Sequence, residues 1–315
     1  MINGRLREVA AGLTKPAAPL SSPTWRFPFA TRTYGRLKMH ALKYLVFFGC
    51  FLLASCEQPS TPKHTASVNV HILTPQFTMH ELKRQRTIRL YLPASYGSTD
   101  RRYPVLYMHD GQNLFDAATG YAGEWEVDET LDKLAANGKL ELIVVGIDNG
   151  GELRNQELVP FVHPEIAKAE GDAYLKFIVD DLKPFIDSNY RTMPDREHTG
   201  LMGSSLGGLI THHAGQHYSH VFARFGVLSP SYWVAAENKA RLLDPAIASN
   251  SRWFISMGSK EGGEMVPDFQ NVTAELERKL PADSQLTTRL VEGAEHNEAA
   301  WAALMEQALL YLFSE

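Results

Sequence analysis

Residues 203–207 read Gly-Ser-Ser-Leu-Gly, a G-x-S-x-G spacing that sets one serine, Ser205, between two glycines. An apolar run at 200–202 precedes it and a helical pattern at 206–218 follows. In that context the serine sits on a turn too tight for ordinary side chains on either flank. Gly203 and Gly207 remove the Cβ atoms that would clash, and the helix behind turns its N-terminal amides toward the serine. Ser204 takes the variable position, so Ser205 is the expected nucleophile. A serine hydroxyl needs a base, and the base an orienting acid. Beyond residue 220 the chain has one histidine, His296, in Glu295-His296-Asn297. The expected acid is Glu261, three residues past Gly258, with Glu264 and Asp268 as nearby alternatives. An oxyanion formed at Ser205 calls for two backbone amides: Leu206, and Gly111 or Gln112 in the loop after the run at 105–108.

These groups need a scaffold that brings distant segments together. Residues 68–73 and 87–92 alternate in polarity, as half-buried antiparallel strands do. Runs at 105–108, 142–147, 200–202, 225–228 and 253–256 are continuously apolar, as in buried strands, and another strand is expected around 286–291. Amphipathic helical patterns cover 126–136, 172–188, 206–218, 268–280 and 297–313. Strand then helix, repeated, predicts an α/β fold with a mostly parallel sheet covered on both faces. Such sheets carry their sites at the strands' carboxyl ends, where each proposed residue lies.

Hydrophobic residues make up 44% of the 315, with 31 Lys+Arg against 36 Asp+Glu. That is the balance of a globular protein, not of a disordered chain. The charge is unevenly spread. Residues 1–55 hold eight of the basic residues and one acid, so the remainder carries a net charge near −12, which argues against nucleic-acid binding. Residues 1–38 show no sustained apolar period and contain four prolines. Met39 then opens a short basic stretch, an apolar run at 44–54 and Leu53-Ala54-Ser55-Cys56. This is the anatomy of a secretory signal peptide, too short to span a bilayer. Leu-Ala-Ser-Cys resembles the lipobox of bacterial lipoproteins, which implies cleavage before Cys56 and lipidation of that cysteine. Met39 is then the expected start, and Glu57 in place of Asp implies the outer membrane, facing the periplasm. The expected organisation is an upstream extension and signal peptide at 1–55, an anchor and tether at 56–67, and one domain at 68–315. The two cysteines, Cys50 and Cys56, both precede that domain, which excludes thiol catalysis and zinc–thiolate sites from it.

Several ordered motifs then become recognisable. His109-Asp110-Gly111-Gln112-Asn113-Leu114-Phe115-Asp116, Glu124-Trp125-Glu126-Val127-Asp128, Val145-Gly146-Ile147-Asp148-Asn149, Arg154, Pro160, the Ser205 turn, and Glu295-His296-Asn297 with Trp301 resemble the putative-esterase family of α/β-hydrolases. That family includes enterochelin and related siderophore esterases, feruloyl and acetylxylan esterases, and S-formylglutathione hydrolases. The resemblance spans about residues 68–313. It implies Ser205 as nucleophile, His296 as base and Glu261 as acid. It offers Trp125 and Arg154 either as pocket residues, stacking on a ring and holding an oxygen, or as a core residue and a salt-bridge partner.

His213 and His217 have metal-ligand spacing but lack the Glu of H-E-x-x-H. With His212 and His220 they are expected on the helix surface. Asp110, Asp116, Asp128, Asp180 and Asp181 lack the EF-hand pattern and are expected to be solvated or capping. The resulting expectation is a lipid-anchored serine carboxylesterase that uses no metal or cofactor and meets the membrane only through its anchor. Its expected substrates are small-molecule esters: siderophore-like lactones, or acyl and feruloyl carbohydrate esters. A non-catalytic binding protein and a peptidase of the same fold are the alternatives.

Overall fold

The computed structural model describes residues 63–235, 242 and 247–314. The expected signal peptide and Cys56 lie outside the described residues. The strands are β1 (Val70–Ile72), β2 (Phe77–Met79), β3 (Arg84–Arg86), β4 (Ile88–Tyr91), β5 (Val105–His109), β6 (Ile143–Ile147), β7 (Thr199–Ser204), β8 (Arg224–Leu228), β9 (Arg252–Gly258) and β10 (Gln285–Val291). Eight form one sheet in the order β1-β4-β6-β5-β7-β8-β9-β10. β1 and β4 pair antiparallel to their neighbours, and the six from β6 to β10 run parallel. Every residue of β5, β6, β7 and β8 is buried, the burial that their apolar runs imply. β10, with Thr287, Thr288 and Arg289, is the half-exposed edge. This is the α/β-hydrolase fold.

The helices are α1 (Val127–Ala136), α2 (Arg154–Glu157), α3 (Gly171–Lys176), α4 (Lys183–Asn189), α5 (Leu206–His217), α6 (Met265–Lys279), α7 (Glu298–Ala302) and α8 (Met305–Phe313). Leu131 and Leu134 of α1 pack with Leu309 and Leu312 of α8 in one core layer. Leu209 and Ile210 of α5, Leu175 of α3 and Phe269 of α6 belong to the other. None of the described helices is long and apolar enough to cross a membrane.

Three local features differ from the expectation. The helix expected over 172–188 widens to π geometry at Phe177–Leu182, between α3 and α4. Pro184, just beyond, has no amide hydrogen for the ordinary helical bond. The helix expected over 297–313 breaks at Ala303 and Leu304, so that α7 and α8 bury Trp301 and Leu309 separately. The unexpected β2–β3 hairpin carries Arg84 and Arg86, which grip Glu157 of α2 at 2.8 and 2.7 Å.

The last residues of the expected tether lie against the domain. The Thr65 amide donates to Asp116 and the Ser67 amide to Asp128. His212 and His213, expected at the surface, are buried at 0% and 1% exposure. Residues of α5 from Leu206 to Gln216 are enclosed on all sides, so the helix has no wet face there. His212 meets the Tyr232 hydroxyl at 2.8 Å, and His213 meets Asp172 at 2.9 Å.

Gly215 of α5 lies so close to Trp253 that a Cβ there would sit 2.0 Å from the indole. A helical Gly→Ala change ordinarily gains about 1 kcal/mol, but overpacking a core costs about 1–3 kcal/mol. Gly215→Ala is therefore expected to lower the unfolding free energy in urea titration, and an unchanged or raised stability would contradict this packing.

Candidate active site

The carboxyl ends of the parallel strands converge. β7 ends at Ser204, and Ser205 turns the chain into α5 with φ 58° and ψ −122°. This lies outside the left-handed well, and such strain persists only where the surroundings impose it. A Cβ on Gly203 would lie 2.8 Å from both the Gly207 carbonyl carbon and the His109 ring, so β7, β5 and α5 close on one another around the turn. The Ser205 amide donates to Leu228 O at 3.0 Å, and its carbonyl accepts from Ser231 N at 3.0 Å. Asp110 at the end of β5 (φ 56°) and Ser229 at the end of β8 (φ 44°) are also forced to positive φ.

Glu261 follows β9, and His296 lies on the loop from β10 to α7. His296 Nδ1 stands 2.7 Å from Glu261 Oε2. Because a carboxylate only accepts, this nitrogen carries the proton and Nε2 is left unprotonated in the neutral ring. The other oxygen, Oε1, accepts from Ser229 Oγ at 2.6 Å and Gly258 N at 2.7 Å. Trp301 Nε1 in turn donates to Ser229 Oγ at 2.9 Å, and its ring meets His296 edge to face, 5.1 Å between centroids. Burial pushes the Glu261 carboxyl up, but the hydrogen bonds from His296, Ser229 and Gly258 outweigh it and hold the group below the ordinary carboxylate range.

Ser205 and His296 line one cleft of about 580 Å³ with Gln112, Trp125, Arg154 and Trp301. Ser205 Oγ lies 3.2 Å from Ser231 Oγ. Among the described residues no hydrogen bond joins Ser205 to His296, a contact that commonly tightens only when substrate is bound. A smaller cleft of about 260 Å³ is also lined by Ser205, with His163 and Trp233. Arg154 belongs to both clefts.

The remaining expected residues take definite places. Leu206 is the first residue of α5, where helical amides have no partner within the helix. Gln112 lines the larger cleft, and its side-chain oxygen accepts from Asn149 N. Gly111 is not on that cleft. A Cβ there would lie 2.7 Å from the backbone of Gly146, so this glycine allows the loop to pass over β6. Trp125 is 2% exposed and packs on Trp301 at 5.5 Å, being both core and cleft wall. Arg154 is a salt-bridge partner: its Nε and Nη2 hold the two oxygens of Asp110 at 2.6 and 2.8 Å. Asp110 is accordingly buried and paired rather than solvated. Glu264 stands at the N-cap position of α6 without a side-chain capping bond, Asp268 is buried in that helix's first turn, and the carboxylate on His296 Nδ1 is Glu261. Asp116, expected to be solvated or capping, is buried and held by His64, Thr65 and Ala118.

Ser229 and Ser231 stand in no motif singled out in the sequence, and His109 appears there only within the run His109–Asp116. Both serines lie within three residues of the apolar run at 225–228, so the strand-end rule that finds Glu261 reaches them too. His109 is buried beneath the turn with Nδ1 on the Tyr174 hydroxyl at 2.8 Å, and burial lowers its pKa to about 4.

A sequence profile described as putative esterase matches residues 79–312. The chain belongs to the putative-esterase family. Family membership carries hydrolysis of esters as its chemistry. A Bacillus subtilis protein, YbbA, is 28% identical over 244 residues, 73% of this chain and 93% of its own length. An endo-1,4-beta-xylanase/feruloyl esterase of Xylanibacter ruminicola is 26% identical over 234 residues, which cover 73% of this chain and 30% of that protein. Among solved structures, the BES protein from Bacillus cereus superposes with TM-score 0.65 at 21% identity, over 81% of this chain and 98% of that one. The enterobactin esterase FES from Shigella flexneri gives 0.63 at 20%, over 80% and 60%. At these identities the structural likeness establishes the shared fold.

Removing the Ser229 hydroxyl leaves the buried Trp301 N–H without an acceptor, at a cost of about 1–3 kcal/mol. Ser229→Ala is expected to lose that much stability in chemical denaturation. A loss below about 0.5 kcal/mol would show that the relay from Trp301 to Glu261 is not formed.

Proposed function

We propose that the chain is a serine carboxylesterase that works through an acyl-enzyme. The observation that carries this reading is the strained Ser205 turn in the same cleft as a histidine already bonded to a buried carboxylate. In the proposed reaction the Ser205 hydroxyl turns from Ser231 to His296 Nε2 and gives up its proton as Oγ bonds to the ester carbonyl carbon. The carbonyl oxygen becomes an oxyanion, stabilised by the Leu206 and Gln112 amides. The tetrahedral intermediate expels the alcohol, which leaves with the proton from His296. Water then gives a proton to His296 and attacks the acyl carbon, and Ser205 leaves reprotonated. Glu261 holds the imidazole in the tautomer that presents Nε2 and stabilises the imidazolium between these transfers.

The proposed substrates carry an acyl group that the aromatic wall of Trp125 and Trp301 can accommodate: siderophore-like lactones, or acyl and feruloyl esters of carbohydrate. The names of the xylanase/feruloyl esterase and the enterobactin esterase support that class. Cys56 as lipid anchor, on the periplasmic side of the outer membrane, completes the proposal and rests on the Leu53–Cys56 motif and the basic and apolar stretches before it.

Wild-type protein is expected to react with a fluorophosphonate probe and to hydrolyse p-nitrophenyl acetate, and Ser205→Ala to lose both, with turnover falling by about four orders of magnitude or more. Glu261→Gln should lower kcat by about 10²–10⁴ with KM little changed. A folded wild type that neither labels nor turns over any ester would replace this reading with that of a binding protein.

A further inference from the structure

The larger cleft holds two polar side chains that the proposed reaction does not use. Asn113 and Glu298 both line it, and each is 8% exposed. Asn113 Nδ2 donates to Glu298 Oε1 at 3.4 Å, beyond the ordinary range of such a bond. Among the described residues this is the one hydrogen bond that the Nδ2 group or the Glu298 carboxylate makes. Arg154 of the same cleft is taken by Asp110. A carboxylate removed from water is ordinarily compensated by several short bonds, as Glu261 is. Glu298 is nearly enclosed without them, in the wall that holds the nucleophile and the base. Neither side chain is free to seek a better partner. Asn113 Oδ1 accepts from Tyr121 N at 3.1 Å, its carbonyl accepts from Trp125 N at 2.9 Å, and its amide donates to Asp110 O at 2.9 Å. A Cβ on Gly123 would lie 3.1 Å from Glu298 Cβ, so the 113–125 loop packs against the first residue of α7.

The pair thus presents a fixed amide donor and a fixed carboxylate acceptor side by side, in a cleft also walled by Tyr121, Trp125 and Trp301. One chemical group satisfies both: a hydroxyl accepts from Asn113 Nδ2 and donates to the Glu298 carboxylate. A carboxylate would be repelled by Glu298, and an ammonium has no lone pair to accept from Asn113. We propose that Asn113 and Glu298 are specificity-determining residues that bind one ring hydroxyl of the substrate's acyl group. This rests on the acyl-enzyme reading and on the acyl group lying against the aromatic wall. Within that reading it narrows the substrates to esters of hydroxylated aromatic acids. A site built to bond a hydroxyl rejects the analogue that lacks it, because its buried polar groups are then left unpaired. The bond to a carboxylate is the stronger of the two, so Glu298 carries most of the discrimination.

The test compares p-nitrophenyl esters of 4-hydroxybenzoic and 4-hydroxycinnamic acids with those of benzoic and cinnamic acids. The two acids carry the hydroxyl at different distances from the ester carbonyl. The readout is the ratio of kcat/KM for the hydroxylated ester to that for the plain one, in wild type, Glu298→Gln and Glu298→Ala. Comparing this ratio between proteins cancels the effect of the hydroxyl on the ester's own reactivity. For at least one acid the ratio is expected to fall about tenfold in Glu298→Gln, which keeps the shape and loses the charge, and about 10–100-fold in Glu298→Ala. Should Glu298→Ala fail to fold, the near-isosteric Glu298→Gln decides. Fluorophosphonate labelling reports the nucleophile separately. Wild type and variants that label and share one ratio for both acids would overturn this inference and leave the acyl-enzyme reading standing. A wild type that does not label would overturn that reading, and the inference with it.

Discussion

The buried Glu261 carboxylate is the group on which the arrangement of the site depends. Its side chain is fully enclosed, and each oxygen is bound by groups from different parts of the fold. Gly258 comes from β9, Ser229 from the end of β8, and His296 from the loop after β10. An ionised carboxylate removed from water is tolerable only with such compensation, so these bonds stabilise the charge and also fix three strand ends relative to one another. Trp301 extends the same chain to α7 by donating to Ser229 and closing on the imidazole edge. A histidine on a loop thereby acquires the definite orientation that proton transfer at Nε2 requires.

The opposite wall is set by backbone strain rather than charge. Asp110, Ser205 and Ser229 all adopt positive φ without being glycine, and each directly follows a buried parallel strand. The strands are fixed by pairing and burial on both faces, so the residue after each must absorb the change of direction. Asp110 is secured in its position by Arg154 and Asn149, and Arg154 by α2, which the β2–β3 hairpin grips through Glu157. The small hairpin far from Ser205 thus contributes to the shape of the cleft. Arg154, like Ser205, lines both clefts, so its pairing with Asp110 shapes both.

Much of this was legible in the sequence because strand ends were legible. Ser205 and Glu261 each follow an apolar run, and His296 follows the strand expected around 286–291 and has no rival beyond residue 220. The choice between roles for Arg154 was not legible, because an arginine that lines a cleft and one that pairs with Asp110 have the same sequence signature; here it does both. Gly111 was one of two candidates for the second oxyanion amide, and its lack of a side chain serves packing against β6. The burial of His212 and His213 escaped notice because α5 is enclosed nearly throughout, and polar residues satisfied by Tyr232 and Asp172 look like surface residues in a pattern. The break between α7 and α8 has no proline or glycine to announce it; it follows from where Trp301 and Leu309 must each be buried.

The most direct test of the central claim is rapid-mixing kinetics with a p-nitrophenyl ester, followed by acid quench and peptide mass mapping. The account predicts a burst of one equivalent of p-nitrophenol per chain whenever deacylation is slower than acylation, with the acyl mass on the peptide containing Ser205. Turnover with the acyl group mapped to a different side chain would contradict it.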